Sequence, residues 1–213
     1  MGATIQSHRI LESSLRETCD VVRGGGVIAF PTETFYGLGV DPFNVQAVRR
    51  LYDLKGRSPQ TSPILVLIRS RDELQALVSE ITPAAERLMQ GCWPGPLTLV
   101  FRAAAAVPAG LTAGTGTIGV RLPAYPDVQR VLEVVGGPLT GTSANRTGQP
   151  PATTADEVER AFGIEIDLVV NGGPTPGGLP STVVDTTVSP PRLIREGCLS
   201  QAALRAILPS WAA

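Results

Sequence analysis

The chain has 213 residues, enough to bury a substantial single core, and at 43% hydrophobic content it is not a disordered polymer. Eighteen basic residues against nineteen acidic ones leave a net charge of −1, so no global basic field marks a nucleic-acid binder. With one histidine, His8, the composition argues against Ser-His-Asp catalysis, Cys-His catalysis and His-rich metal sites.

The N-terminal stretch carries Glu12, Glu17 and Asp20 among its apolar positions, which is not the apolar run of a signal peptide. No apolar run approaches the roughly 20 residues needed to span a bilayer. The expectation is a cytoplasmic protein without a membrane partner. An amphipathic helix is expected over 10–22, stopping at Gly24-Gly25-Gly26, followed by a buried strand over 27–30 that ends at Pro31. Asn44 is placed to cap a helix running to Leu54, with Val45, Val48, Leu51 and Tyr52 on one face.

A strand over 64–68 and a helical stretch over 71–78 come next. Thr82-Pro83 then opens a helix, a cap residue followed by proline at the first helical position. Strands are expected over 97–101 and 117–122, a helix over 127–135 and an extended segment over 138–142. Thr154 with Glu157 forms a capping box. Strands over 166–170, 182–187 and 192–195 and a helix over 200–208 complete the list. The last two strands are joined by Ser189-Pro190-Pro191, too short for a crossover, so they are expected to be antiparallel.

The alternation predicts an α/β protein of one domain, residues 9–200 with a closing helix to about 208. Its core would be one mixed, parallel and antiparallel, sheet of about seven strands with flanking helices. The cysteines, Cys19, Cys92 and Cys198, are odd in number and dispersed, as reduced structural thiols are.

Gly114-Thr115-Gly116-Thr117-Ile118-Gly119 matches a dinucleotide fingerprint in letters, but it leads into a strand where that fingerprint must open a helix. There is no G-x-x-x-x-G-K-[ST] phosphate loop either, so an ATP site must be built another way. Four segments carry chemistry. Pro31 to Leu38 gathers two threonines, a glutamate and a tyrosine at a strand end, suited to a small zwitterion or, equally, to a turn held by threonine side chains.

Lys55-Gly56-Arg57 closes a helix, where cations suit the dipole in any case. Lys55 is the only lysine beside seventeen arginines, and a turn at Gly56 would let a point charge and a bidentate fork converge on a polyphosphate. Arg121 lies in an apolar strand and must face a ligand carboxylate or a structural Asp or Glu. Gly141-Thr142-Ser143-Ala144-Asn145 follows a strand and lacks both the glycine and the histidine of a nucleophile elbow, which makes Ser143 a phosphate or nucleotide binder. The run from Asn171 to Thr182 reads as a flexible loop that could serve as a lid.

In this order the segments are specific. From about Leu11 to Leu208 the chain resembles the YrdC-like family of threonylcarbamoyl-AMP synthases. The resemblance is carried by Pro31 to Gly39, Lys55-x-Arg57, Trp93 to Thr98, Val120-Arg121-Leu122-Pro123, Ser143-x-Asn145 and Pro180 to Asp185. It implies a YrdC-like fold, a twisted mixed sheet with a concave, positively lined cavity. It also implies a short form lacking the long form's second domain.

The activity implied is synthesis of L-threonylcarbamoyl-AMP from L-threonine, bicarbonate or CO2 and ATP with Mg²⁺, releasing pyrophosphate. That is the first step of threonylcarbamoyladenosine modification at tRNA position 37, with the product passed to a tRNA threonylcarbamoyl transferase complex. By the same resemblance Thr34, Arg121, Gly141 and Ser181 would surround threonine. Lys55, Arg57, Ser62, Thr117, Ser143, Asn145, Pro151 and Arg195 would serve ATP, with Lys55 and Arg57 closest to the chemistry. Several members have histidine where this chain has Leu67. Two alternatives remain beside it: a carbamoyl-transfer module working through carbamoyl-AMP, and an RNA-binding module without catalysis.

Overall fold

The computed structural model describes residues 12–58, 63–208 and 211; His8 and Ser62 lie outside them. Helix α1 (Glu12–Arg23) stops at the three glycines, whose amides close its last turn on Asp20, Val22 and Val21 carbonyls. Strands β1 (Ile28–Pro31) and β2 (Tyr36–Gly39) follow as an antiparallel hairpin. Helix α2 (Val45–Lys55) is capped by Asn44, whose side-chain oxygen accepts from the amides of Gln46 and Ala47. Then come β3 (Val66–Leu67), a 3-10 turn at Arg71–Glu73, α3 (Leu74–Leu77), α4 (Pro83–Cys92) and β4 (Leu97–Arg102).

The chain continues through α5 (Ala109–Thr112), β5 (Thr117–Arg121), α6 (Pro126–Val135), β6 (Leu139–Thr140) and β7 (Thr142–Ser143). It closes with α7 (Ala155–Phe162), β8 (Leu168–Val169), β9 (Thr182–Asp185), β10 (Arg192–Arg195) and α8 (Gln201–Ile207). The caps read from sequence are present. Thr82 and Thr154 each accept from the amide three residues on, while the Glu157 carboxylate reaches back to Thr153. The glycine run 114–119 leads into β5, as a strand, not a helix.

The strands form two mixed sheets where one was expected. The smaller has the order β7-β2-β1-β8 and the larger the order β10-β9-β4-β5-β3-β6. Two sequence features account for the difference. Tyr36-Gly37-Leu38-Gly39 is a strand rather than the tail of a polar loop. Its glycines leave room for the Phe30 ring, since a Cβ on Gly39 would come within 2.7 Å of Phe30 Cε1. The extended segment 138–142 is also not one strand. It is split at Gly141, with β6 in the larger sheet and β7 in the smaller, so the chain changes sheets at a single glycine. The final hairpin, β9 with β10, is antiparallel as its short connection requires.

The larger sheet shows the period of two expected of a half-covered sheet. Leu97, Leu99 and Phe101 of β4, Ile118 and Val120 of β5, Val66 of β3 and Val184 of β9 enter the main core. Their neighbours Thr98, Val100, Thr117, Gly119, Arg121, Leu67, Val183 and Asp185 face the other way and floor a cavity. A second core joins Leu15 and Val22 of α1, Val128, Val131 and Leu132 of α6, and Ile28 and Phe30 of β1.

Candidate functional site: an arginine-lined cavity between the sheets

The cavity is about 610 Å³, in the range of small-molecule sites, and is lined from both sheets. Four arginines line it, Arg57, Arg121, Arg192 and Arg195, against one carboxylate, Asp185. Of the residues singled out in the sequence, Thr34, Arg57, Thr117, Arg121, Gly141, Ser143, Ser181 and Arg195 all line this one space. Lys55, Asn145 and Pro151 do not. Among the described residues no group of three or more His, Cys, Asp or Glu could hold a metal ion.

At the end of α2 the chain turns at Gly56, with φ of +60°, and its two cations part company. Arg57 faces the cavity and donates from Nε to Thr147 Oγ1 at 3.0 Å. Lys55 goes the other way and is 1% exposed. Its ammonium donates to the Ser143 carbonyl and, at 3.0 Å, to Asn145 Oδ1. The two heads do not converge in this structure: oxygens of the 143–145 loop hold the ammonium.

The same loop satisfies the free carbonyls of the helix end. Thr147 donates to the Lys55 carbonyl and Arg146 to that of Leu54. Asn145 also donates to the carbonyls of Arg146 and Gln149, at 3.1 and 2.7 Å. Burial, and secondarily the charge of Arg57, push the Lys55 amine from 10.5 down to about 7. Lys55 is therefore the rivet holding Ser143 at the cavity wall.

Thr32 to Phe35 is the tip of the β1–β2 hairpin. Both readings of its threonines hold. Thr32 Oγ1 donates to the Phe35 carbonyl at 2.6 Å and accepts from the amides of Thr34 and Phe35, which is a threonine-built turn. Thr34 is left with its hydroxyl at the cavity. Across from it, Ser181 Oγ is 3.0 Å from Thr98 Oγ1, and both are buried. Gly141 comes so close to β3 that a Cβ there would lie 2.6 Å from Leu67 Cγ. Only the bare backbone of residue 141 fits.

Arg121 has a structural partner of the kind its burial demanded. Its side chain is 7% exposed, ion-pairs through Nη2 with Glu33 and donates from Nε to the Gly95 carbonyl at 3.0 Å. Burial pushes the guanidinium down to about 10; the charge of Arg195 acts in the same direction and Cys198 opposes it. At neutral pH it keeps its proton.

Arg195 reaches the cavity because β10 is irregular. Arg192 pairs with Asp185 and Leu193 with Val184, but Arg195 pairs with Val183, so Ile194 is an extra residue. Strict alternation would point Arg195 to the core beside Leu193. The bulge re-aims it. Its guanidinium then donates to the Ser181 carbonyl at 3.0 Å. Deleting Ile194 should restore the ladder with Arg195 directly after Leu193, still opposite Val183 and on the cavity face. ATP affinity, measured by calorimetry, should then stay well above that of Arg195→Ala, whereas a loss as deep as in Arg195→Ala would show that the surplus residue itself is needed to place the guanidinium.

Sequence reasoning passed over Arg192, Asp185, Thr98, Thr115 and the pairing role of Glu33. Asp185 accepts from Thr187 and lies 3.4 Å from an Arg192 nitrogen, and Thr115 Oγ1 is 2.8 Å from Thr117 Oγ1. Counting by twos from Arg121 along β5 and across to β4 and β9 reaches Thr98 and Asp185, which is the signal that was available. The 171–182 run, read as a lid, is fastened in this structure. Gly173 accepts from the Tyr36 hydroxyl, Thr175 donates to Thr153, and the Gly177 amide donates to the Thr34 carbonyl at 2.6 Å.

The profile of the Sua5, YciO and YrdC family, described as "Telomere recombination", matches residues 20–197. A threonylcarbamoyl-AMP synthase of Pyrococcus abyssi is 40% identical over 191 residues, 90% of this chain and 56% of that protein. One of Thiobacillus denitrificans is 42% identical over 164 residues, 77% of this chain and 86% of that protein. The crystal structure of P. abyssi Sua5 complexed with L-threonine superposes with a TM-score of 0.90 at 38% identity, covering 95% of this chain and 59% of that one. The chain thus spans little more than half the length of its Pyrococcus relative.

Proposed function

The chain belongs to the Sua5–YciO–YrdC family, and on that premise we propose that it makes L-threonylcarbamoyl-AMP and pyrophosphate from L-threonine, bicarbonate or CO2, and ATP. Residues 9–200 act as one catalytic domain. The observation that carries this reading is the single cavity in which a buried, hydroxyl-flanked guanidinium shares space with three further arginines. One cation suits a small carboxylate beside Thr34, Ser181 and the backbone at Gly141. The others suit a triphosphate.

In this scheme the threonine amine takes up CO2, or bicarbonate with loss of water, to give a carbamate. A carbamate oxygen attacks the α-phosphorus of ATP, that phosphorus–oxygen bond forms, and pyrophosphate leaves. Arg57, Arg195, Thr117 and Ser143 hold the nucleotide, with Ser62 and Pro151 at its margins, while Lys55 and Asn145 fix Ser143 in place. No side chain is assigned as a general base; positioning and charge stabilisation supply the acceleration.

Magnesium travels as part of the nucleotide substrate. Asp185, the one cavity carboxylate among the described residues, is already engaged by Thr187 and Arg192, which suits an ion held mainly by phosphates and water. The product would pass to a tRNA threonylcarbamoyl transferase complex. The test is pyrophosphate release from ATP and bicarbonate with and without L-threonine. Release should require threonine; release indifferent to it would end this reading.

A further inference from the structure

Glu33 occupies an unusual position for a carboxylate in a binding protein. It lies at the tip of the β1–β2 hairpin between Thr32 and Thr34, both of which line the cavity, yet its own oxygens are turned away from solvent onto Arg121. A carboxylate can accept about four hydrogen bonds. Among the described residues, neither Glu33 oxygen nor Arg121 Nη2 has a hydrogen-bond partner beyond this ion pair itself. The pair thus lacks supporting hydrogen bonds, and such a buried pair is the kind whose attraction barely offsets its desolvation.

Within the same space stand the groups that could complete the bonding of a different carboxylate. Thr34 and Ser181 hydroxyls line the cavity, and Thr98 backs Ser181 at 3.0 Å. Arg121 already spends Nε on the Gly95 carbonyl, so a second anion must share or take the remainder of the fork.

We propose that Glu33 is an internal stand-in for the substrate carboxylate: it neutralises Arg121 while the cavity is empty and gives up the guanidinium when an amino acid binds. This rests on the reading of the inner cavity as an amino-acid pocket. The exchange needs only a side-chain rotation at a hairpin tip, because the turn itself is held by Thr32 and by the Gly177 amide on Thr34. Two consequences follow. Amino-acid affinity is set by competition, and the empty pocket is guarded against other small anions. Glu33 acts here through Arg121 and is a positioning residue.

The experiment is calorimetric titration of the full chain, wild type and Glu33→Gln, with L-threonine and with L-threoninamide, which lacks the carboxylate. If Glu33 occupies Arg121 in about nine molecules of ten, its removal should tighten L-threonine binding about tenfold, and threoninamide should show no such gain. Unchanged or weaker threonine binding by a folded Glu33→Gln protein overturns the exchange and makes Glu33 a fixed orienter of Arg121.

Should the variant fail to fold, wild-type crystals with and without L-threonine decide the matter. Glu33 must be released from Arg121 in the complex, and a retained ion pair overturns the proposal. A wild-type protein that binds no amino acid at all removes the pocket reading itself, whereas one that binds threonine without competition removes only the exchange.

Discussion

Arg121→Met should lower threonine-dependent pyrophosphate release by a factor on the order of 10² to 10³. Truncating one member of a buried charge pair costs about 2–5 kcal/mol, roughly 30- to 5,000-fold, which brackets that loss. The change removes the cation proposed for the substrate carboxylate, and it also strands Glu33, a partly buried anion with no other partner among the described residues. The two effects separate in a double variant. Arg121→Met with Glu33→Gln replaces a buried ion pair by neutral groups, a change that is often close to neutral for stability. Its melting temperature should return toward that of the wild type while its turnover stays low. Turnover near wild type in either protein would show that Arg121 is structural only.

Lys55→Met should have the next largest effect, because it frees the loop that presents Ser143. The Ser143 carbonyl would keep only the Asn145 amide and Asn145 Oδ1 only the Ser143 hydroxyl, and a lost hydrogen bond to a charged donor is worth about 1.5–3 kcal/mol each. Turnover should fall about 100-fold, with the loss shared between ATP affinity and rate, since Lys55 acts through Ser143 and does not line the cavity.

A pH signature accompanies it. The folded-state amine titrates near 7, below its ordinary 10.5, so between those values the unfolded chain binds the extra proton. Stability of the wild type relative to Lys55→Met should therefore rise with pH across that window, by at most about 1.4 kcal/mol per pH unit. Below pH 7 the burden of burying the charge is fully present. Urea midpoints at pH 6, 7, 8 and 9 measure it; parallel curves for the two proteins would contradict the depressed amine.

Much of the fold was legible because its signals are local. Asn44, Thr82, Thr154 and Ser200 each cap a helix with the side-chain bond their type predicts. The short 189–191 connection fixed the sense of the last hairpin. The split into two sheets was not legible, because it depends on which strand accepts β2 and β7, and on a crossing at Gly141 that reads as continuous extended chain. The cavity members came largely from resemblance and from isolated chemistry, Arg121 being the clearest.

What the sequence concealed was direction. Lys55 and Arg57 look like a pair, but the captor of Lys55 lies some 90 residues away in a loop with no acidic residue. Glu33 and Arg121 meet only through the packing of one sheet on the other. Arg195 points to the cavity because of one surplus residue, and counting by twos would have sent it to the core.

The buried rivet also gives the molecule a chemical identity tag. Lys55 is the only side-chain amine in the sequence, and folding hides it almost completely. Burial is what lowers that amine, so an excursion that exposes it returns it toward its ordinary 10.5, and acylation requires both exposure and an alkaline medium. Acylation of this one side chain therefore counts excursions in which the 143–149 loop lifts from the end of α2. The residue that first stood out as a compositional oddity is a built-in reporter of how often the site comes apart.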